Sequence, residues 1–129
     1  MADYDLDGTD LLALLPYFEQ AEREATNKAF AVVKDHAIDL RNAWRDNARS
    51  SSGRHGKHYP KSITAEQIPH NGAIEWEVGP ETRLPQGGMG RGFEYGSANQ
   101  PPHLDGAQAA AHVEPQFVKA LDDIVRDLL

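Results

Sequence analysis

Apolar residues recur every three or four positions in the first part of the chain. Phe30, Val33, Ala37, Leu40, Trp44 and Ala48 share one helical stripe, and Lys34, Asp35, Asp39, Arg41, Asn42 and Asp46 lie opposite. This period predicts a long amphipathic helix over about Tyr17 to Ala48, a stretch without glycine or proline. Trp44 is expected to anchor its buried face. Upstream, Thr9 or Asp10 can cap a short helix through Leu11, Leu12, Leu14 and Leu15, with Pro16 ending it or opening the next. Residues 1–8 read as a flexible acidic tail.

The period then shortens to two. Ile63, Ala65 and Gln67 alternate loosely; Ile74, Trp76 and Val78 alternate clearly with Glu75 and Glu77. Asn71-Gly72 lies between the runs and favours a tight turn, so Ile63–Ile68 and Ala73–Val78 are expected to pair antiparallel. Residues 50–61 and 79–92 read as exposed, mobile loops, the first too polar to bury anything. Phe93-Glu94-Tyr95 forms a third short element, with both aromatics as anchors, Glu94 facing out and Gly96-Ser97 turning the chain. A second helical stripe runs from Ala107 to Leu128, and Pro115 inside it predicts a fresh start at Glu114. The fold class is α+β in one domain: a long N-terminal amphipathic helix, a small antiparallel sheet with a hairpin, and a C-terminal amphipathic helix.

Composition adds a thin core. Hydrophobic residues make up 40% of the chain and aromatics 8%, with a mean hydropathy of −0.61. Burial is therefore expected to be completed by copies of the chain or by partners. The net charge of −7 argues against a free-standing nucleic-acid binder, which is usually basic. It suits a wall that DNA passes without specific binding. There is no cysteine, which excludes disulfides, thiolate metal sites and cysteine nucleophiles. The acidic start does not resemble a signal peptide, and the apolar run Leu11–Leu15 is too short to span a bilayer, so a cytoplasmic protein is expected.

Catalytic patterns are weak. His55-x-x-His58 lies in a glycine-containing loop, and His36, His70, His103 and His112 are scattered, so no zinc site is expected. Gly87-Gly88-Met89-Gly90-Arg91-Gly92 lacks the strand, helix and Lys-Ser/Thr pair of a phosphate loop. Glu75 and Glu77 share a strand face but have little sheet around them to form a cleft. The expectation is a protein with no cofactor, no metal and no catalytic activity. The one charge anomaly is basic: Arg41, Arg45, Arg49, Arg54, Lys57 and Lys61 against Asp46 alone. With Arg91, Glu94 and Tyr95, these are the candidate partner-contact residues. An acidic body with a basic arm fits head-to-tail assembly better than it fits DNA contact.

The order of parts resembles the tail-component, or tail-completion, family of long-tailed bacteriophages. The resemblance rests on Ala48-Arg49 at a helix end, the basic Lys57–Lys61, Ile74-Glu75-Trp76-Glu77-Val78-Gly79, Phe93-Glu94-Tyr95-Gly96-Ser97, Gln100-Pro101-Pro102-His103 and Phe117–Leu129. It spans about Phe30 to Leu129. Ser50-Ser51-Ser52-Gly53 stands where members carry Pro-x-x-Thr/Ser-Gly. The resemblance implies a structural virion protein of the neck that completes the tail or joins it to the head. It implies an oligomeric ring, most often a hexamer, in contact with neighbouring neck and tail-tube proteins. A tail terminator or head-closure stopper ring is the near alternative, and a DNA-binding accessory protein a more distant one.

Overall fold

The computed structural model describes residues 8–69 and 72–128. The expected flexible tail falls outside these residues, except that Gly8 is already helical. α1 (Gly8–Ser51) is one helix of 44 residues, or about 66 Å at the α-helical rise. After it come α2 (Tyr59–Ser62), β1 (Ile63–Ile68), β2 (Glu75–Pro80), a 3₁₀ turn (Gly87–Met89), α3 (Gly90–Tyr95) and α4 (Asp105–Leu128). The architecture is α+β: two long helices with a two-stranded antiparallel hairpin and short connecting elements.

Two proline expectations are corrected. Pro16 lies inside α1 and Pro115 inside α4, and neither divides its helix. A proline removes one N–H and frees the carbonyl four residues earlier, here at Leu12 and Ala111. Both of those residues are exposed, so water can take up the freed acceptors. The stripe on α1 holds: Val33, Ala37, Leu40, Trp44 and Ala48 turn inward, while Phe30 stays largely exposed.

The two expected runs pair antiparallel, but the second strand is Glu75–Pro80 where Ala73–Val78 was expected, two residues later at both ends. Ile68 faces Glu75 and Ile63 faces Pro80. Asn71 lies outside the described residues, and Gly72 takes φ 79°, the left-handed conformation a tight turn favours.

α4 runs back along α1. Asn47 and Ser51 of α1 bond to Asp105 at the start of α4. His36 stacks on Phe117 with centroids 5.4 Å apart. Lys28 reaches Asp127 at 3.9 Å. The end of α4 therefore lies level with Lys28. The hairpin tip is equally short, since Gly72, Ala73 and Ile74 border Ala25, Thr26 and Ala29. Beyond this level, among the described residues, α1 continues alone from about Glu24 back to Gly8, and all residues from Leu12 to Gln20 are exposed.

The core is small and sits at the other end. Ala48, Tyr59, Ile63 and Phe93 form it, with Trp44 and Val78 packed against them. The Tyr59 and Phe93 rings stack at 4.5 Å. Helix α4 can come this close to Trp44 only because position 106 has no side chain. A Cβ there would lie 2.5 Å from the Trp44 ring. Gly106→Ala is therefore expected to destabilise the fold by about 1–2 kcal/mol, overpacking outweighing the better helix propensity. A lowered urea midpoint with unchanged far-UV dichroism checks this.

Candidate interaction surface

Two segments expected to be mobile loops contain ordered, buried residues. In 50–61, Ser52, Gly56, Tyr59 and Pro60 are buried, and Tyr59 is 0% exposed. This overturns the expectation that nothing there could be buried. The run is polar on average, but the Tyr59-Pro60 pair plugs the space between the end of α1 and α3. In 79–92, Gly87 and Gly90 are buried within the short helical turns. The two segments are joined through Gln86, which accepts from the His58 N–H at 2.7 Å and donates to the His55 carbonyl at 2.6 Å.

Phe93-Glu94-Tyr95 is placed differently from expectation. Phe93 is an anchor as predicted, but Glu94 is buried and Tyr95 is 71% exposed. On a helical turn rather than a strand, adjacent residues do not alternate between faces. Glu94 has a defined structural task. Its two carboxylate oxygens accept from the Gly106 N–H at 2.9 Å and the Ala107 N–H at 3.0 Å. These are first-turn donors of α4, which have no partner within the helix. Leu104, just before α4, has a side chain that cannot cap and a φ of 54°. Glu94 supplies the missing cap from α3, with its charge at the positive end of the helix dipole.

The basic candidates divide into two groups. Arg45 donates from Nε to the Ile63 carbonyl at 2.7 Å and ties α1 to β1. Its pKa is lowered by burial, then by the charges of Arg41 and Arg49. Arg49 pairs with Asp46 at 2.6 Å, and Arg41 bonds to the side chain of its neighbour Asn42. Arg54, Lys57, Lys61 and Arg91 are exposed, and none has an ion-pair partner among the described residues. Arg91 and Tyr95 are four apart on α3 and so share one exposed face. Arg54 and Lys57 flank Gly56, which lies against the Phe93 ring. The second group thus gathers at one end of the molecule, around the small core.

Among the described residues no group of three or more His, Asp or Glu side chains is placed to hold a metal ion. The most apolar cavity is an open groove of about 300 Å³ between α1, α4 and β2, lined by Val33, Leu40, Trp76, Val78, Val113 and Phe117 among others. Glu75 and Glu77 are exposed and pair across the hairpin with Ile68 and Glu66; Glu77 also lines a shallow polar hollow with Glu66 and Glu81, which Glu75 does not reach. Among the described residues no helix is long and apolar enough to cross a membrane. The chain matches no family model, no curated protein and no solved structure.

Sequence reasoning did not find Tyr59, Asp105 or the match of Trp44 to Gly106. An aromatic–proline pair in a polar run was the available signal for the first. The other two depend on contacts between distant segments and leave no local pattern.

Two outcomes follow from this geometry. Glu94→Ala leaves two first-turn N–H groups without their partner and is expected to cost about 2 kcal/mol, with Glu94→Gln recovering part of it. Chemical denaturation of the three proteins checks this. The Tyr59 phenol is pushed up to about 12, chiefly by burial; Trp44 opposes this and the Glu94 and Asp105 carboxylates add to it. Its hydroxyl and the Trp44 N–H nevertheless do not meet in hydrogen-bond geometry. A raised folded-state pKa stabilises the fold below the unfolded value of about 10, and that contribution is lost as pH rises towards 12, by about 2–3 kcal/mol. Tyr59→Phe should lack this alkaline decline while staying within about 1 kcal/mol of the parent at neutral pH, since the hydroxyl has no partner to lose. Urea midpoints across the alkaline range compare the two.

Proposed function

We propose that the chain is a self-assembling structural subunit of the neck of a long-tailed bacteriophage, where a ring of copies completes the tail or joins it to the head. The observation that carries this reading is the two-ended form of α1. Its first turns extend past every other element with Leu12, Leu14, Leu15, Tyr17 and Phe18 exposed. Its far end bears the unpaired basic group. Exposed apolar and charged surface at opposite ends fits a protein that buries surface in an assembly. The resemblance in motif order supplies the location, the virion neck, and a ring of six. In this reading the protein is a scaffold without enzymatic activity or cofactor, and genomic DNA passes without specific contact. Tail terminator and head-closure stopper rings share the same logic.

A DNA-binding accessory role is the second reading, favoured by Arg54, Lys57, Lys61 and Arg91. It requires salt-dependent retention of a duplex by the purified protein. The neck reading expects no such retention. It also expects particles made without the protein to accumulate as separate filled heads and tails in negative stain. Normally joined particles would overturn it.

A further inference from the structure

The overhanging part of α1 has an apolar face that no other element covers among the described residues. Leu14, Phe18 and Ala21 continue, at spacings of three and four and through Ala25 and Ala29 beside the hairpin tip, the stripe that α4 and the hairpin cover from Val33 onward. The arm is also acidic. Gly8–Glu24 holds four carboxylates, Asp10, Glu19, Glu22 and Glu24, against Arg23 alone. Glu22 is four residues from Phe18 and seven from Leu15, so its charge borders the apolar stripe. Two such arms laid side by side would set carboxylates against carboxylates. Like charge therefore disfavours a symmetric arm-to-arm dimer.

The opposite end of the same chain has the complementary chemistry. Arg91 and Tyr95 share a face of α3, Arg54 and Lys57 lie in the adjoining turn, and Leu84 and Met89 are also exposed. Exposed tyrosine and arginine side by side are the residue types that dominate interface energetics. We infer that the acidic, apolar arm of α1 in one copy docks on the basic Arg54, Lys57, Arg91 and Tyr95 surface of a second copy, a head-to-tail contact that leaves an arm and a docking surface free for further copies.

The inference deepens the proposed self-assembly and rests on it. Its strength can be bounded. The 17 residues Gly8–Glu24 make a rod about 25 Å long and 10 Å across, whose one face offers about 400 Å². That is about half of what each partner contributes to a stable pair. A single contact is therefore weak, and closure of a ring or attachment to a particle would multiply it.

The absence of cysteine from the chain makes disulfide trapping a clean test. The double variant Phe18→Cys, Tyr95→Cys, oxidised at high concentration and low ionic strength, is expected to give a ladder that extends beyond dimers. High salt should abolish it. Adding Arg54→Glu, Lys57→Glu and Arg91→Glu should abolish it too, and Glu19→Lys, Glu22→Lys and Glu24→Lys on the arm should restore it. Loss of the ladder with a native dichroism spectrum and no rescue overturns the inference. So does dimer formation by Phe18→Cys alone at matching yield, which would mean arm-to-arm pairing. So does preferential trapping of Phe18→Cys with Ala110→Cys, which would seat the arm in the apolar groove. No trapping at any concentration overturns it as well. Particles that join normally without the protein would instead overturn the neck role and leave a positive ladder standing.

Discussion

The structure depends on how α4 is started. Glu94 is a buried carboxylate, and burying a charge is costly unless its hydrogen bonds are made. Here two first-turn N–H groups of α4 make them. Asp105, equally buried, accepts from Ser51 at 2.5 Å, and its carbonyl accepts from Asn47. α3, α4 and the end of α1 are thus joined by polar contacts in which each buried carboxylate has a donor. The missing side chain at Gly106 lets this junction close on Trp44. Once the start and direction of α4 are set there, its 24 residues determine where it stops. That stopping point leaves the first turns of α1 bare.

The rest of α4 is held more loosely. Only Ala109 and Val113 are buried beyond its first turn, and Val118, Val125 and Leu128 remain half exposed. The buried contacts of the helix pair concentrate at the Glu94 junction, and further along an open apolar groove lies between α1, α4 and β2. Stability of this kind is unevenly distributed, and opening should begin at the end with few buried contacts. The end held most firmly is the one with exposed Arg91 and Tyr95, so a partner docking there would meet a surface already in place.

Much of the fold was legible because periodicity reports burial directly. The 3.6-residue stripe of α1 and the two-residue alternation of Ile74, Trp76 and Val78 each named a face, and the structure turns those faces inward from Val33 onward, burying Ala37 and Ala48 and half-burying the rest. The failures share a cause. Pro16 and Pro115 were read by local rules, but a proline breaks a helix only where the freed carbonyl has no alternative, and both carbonyls lie on exposed turns. Glu94 and Tyr95 were read as if on a strand, which exchanged inside for outside. Tyr59 was judged by the polarity of its neighbours, although one aromatic can turn inward from a polar loop whose charged side chains face water. Of the candidate surface, the charge was legible in the sequence. Which arginines were already occupied was not, because Arg45 meets a carbonyl 18 residues away.

The placement of charge needs an explanation that the single chain does not supply. Residues 1–24 are strongly acidic and residues 41–61 strongly basic, yet both lie along one polypeptide whose described part of α1 is straight enough to span Gly8–Ser51 as one helix. From Glu24 to Arg41 the axis advances about 25 Å, whereas exposed charges are screened over about 8–10 Å at ordinary ionic strength. The two groups therefore do little for each other within one molecule, and neither neutralises itself locally. Folding the chain does not require this segregation, and scattering the same residues would serve solubility as well. Opposite charge at the two ends of a rigid helix becomes useful when a second molecule brings the ends together, and the apolar side chains on the acidic end give that approach something to bury.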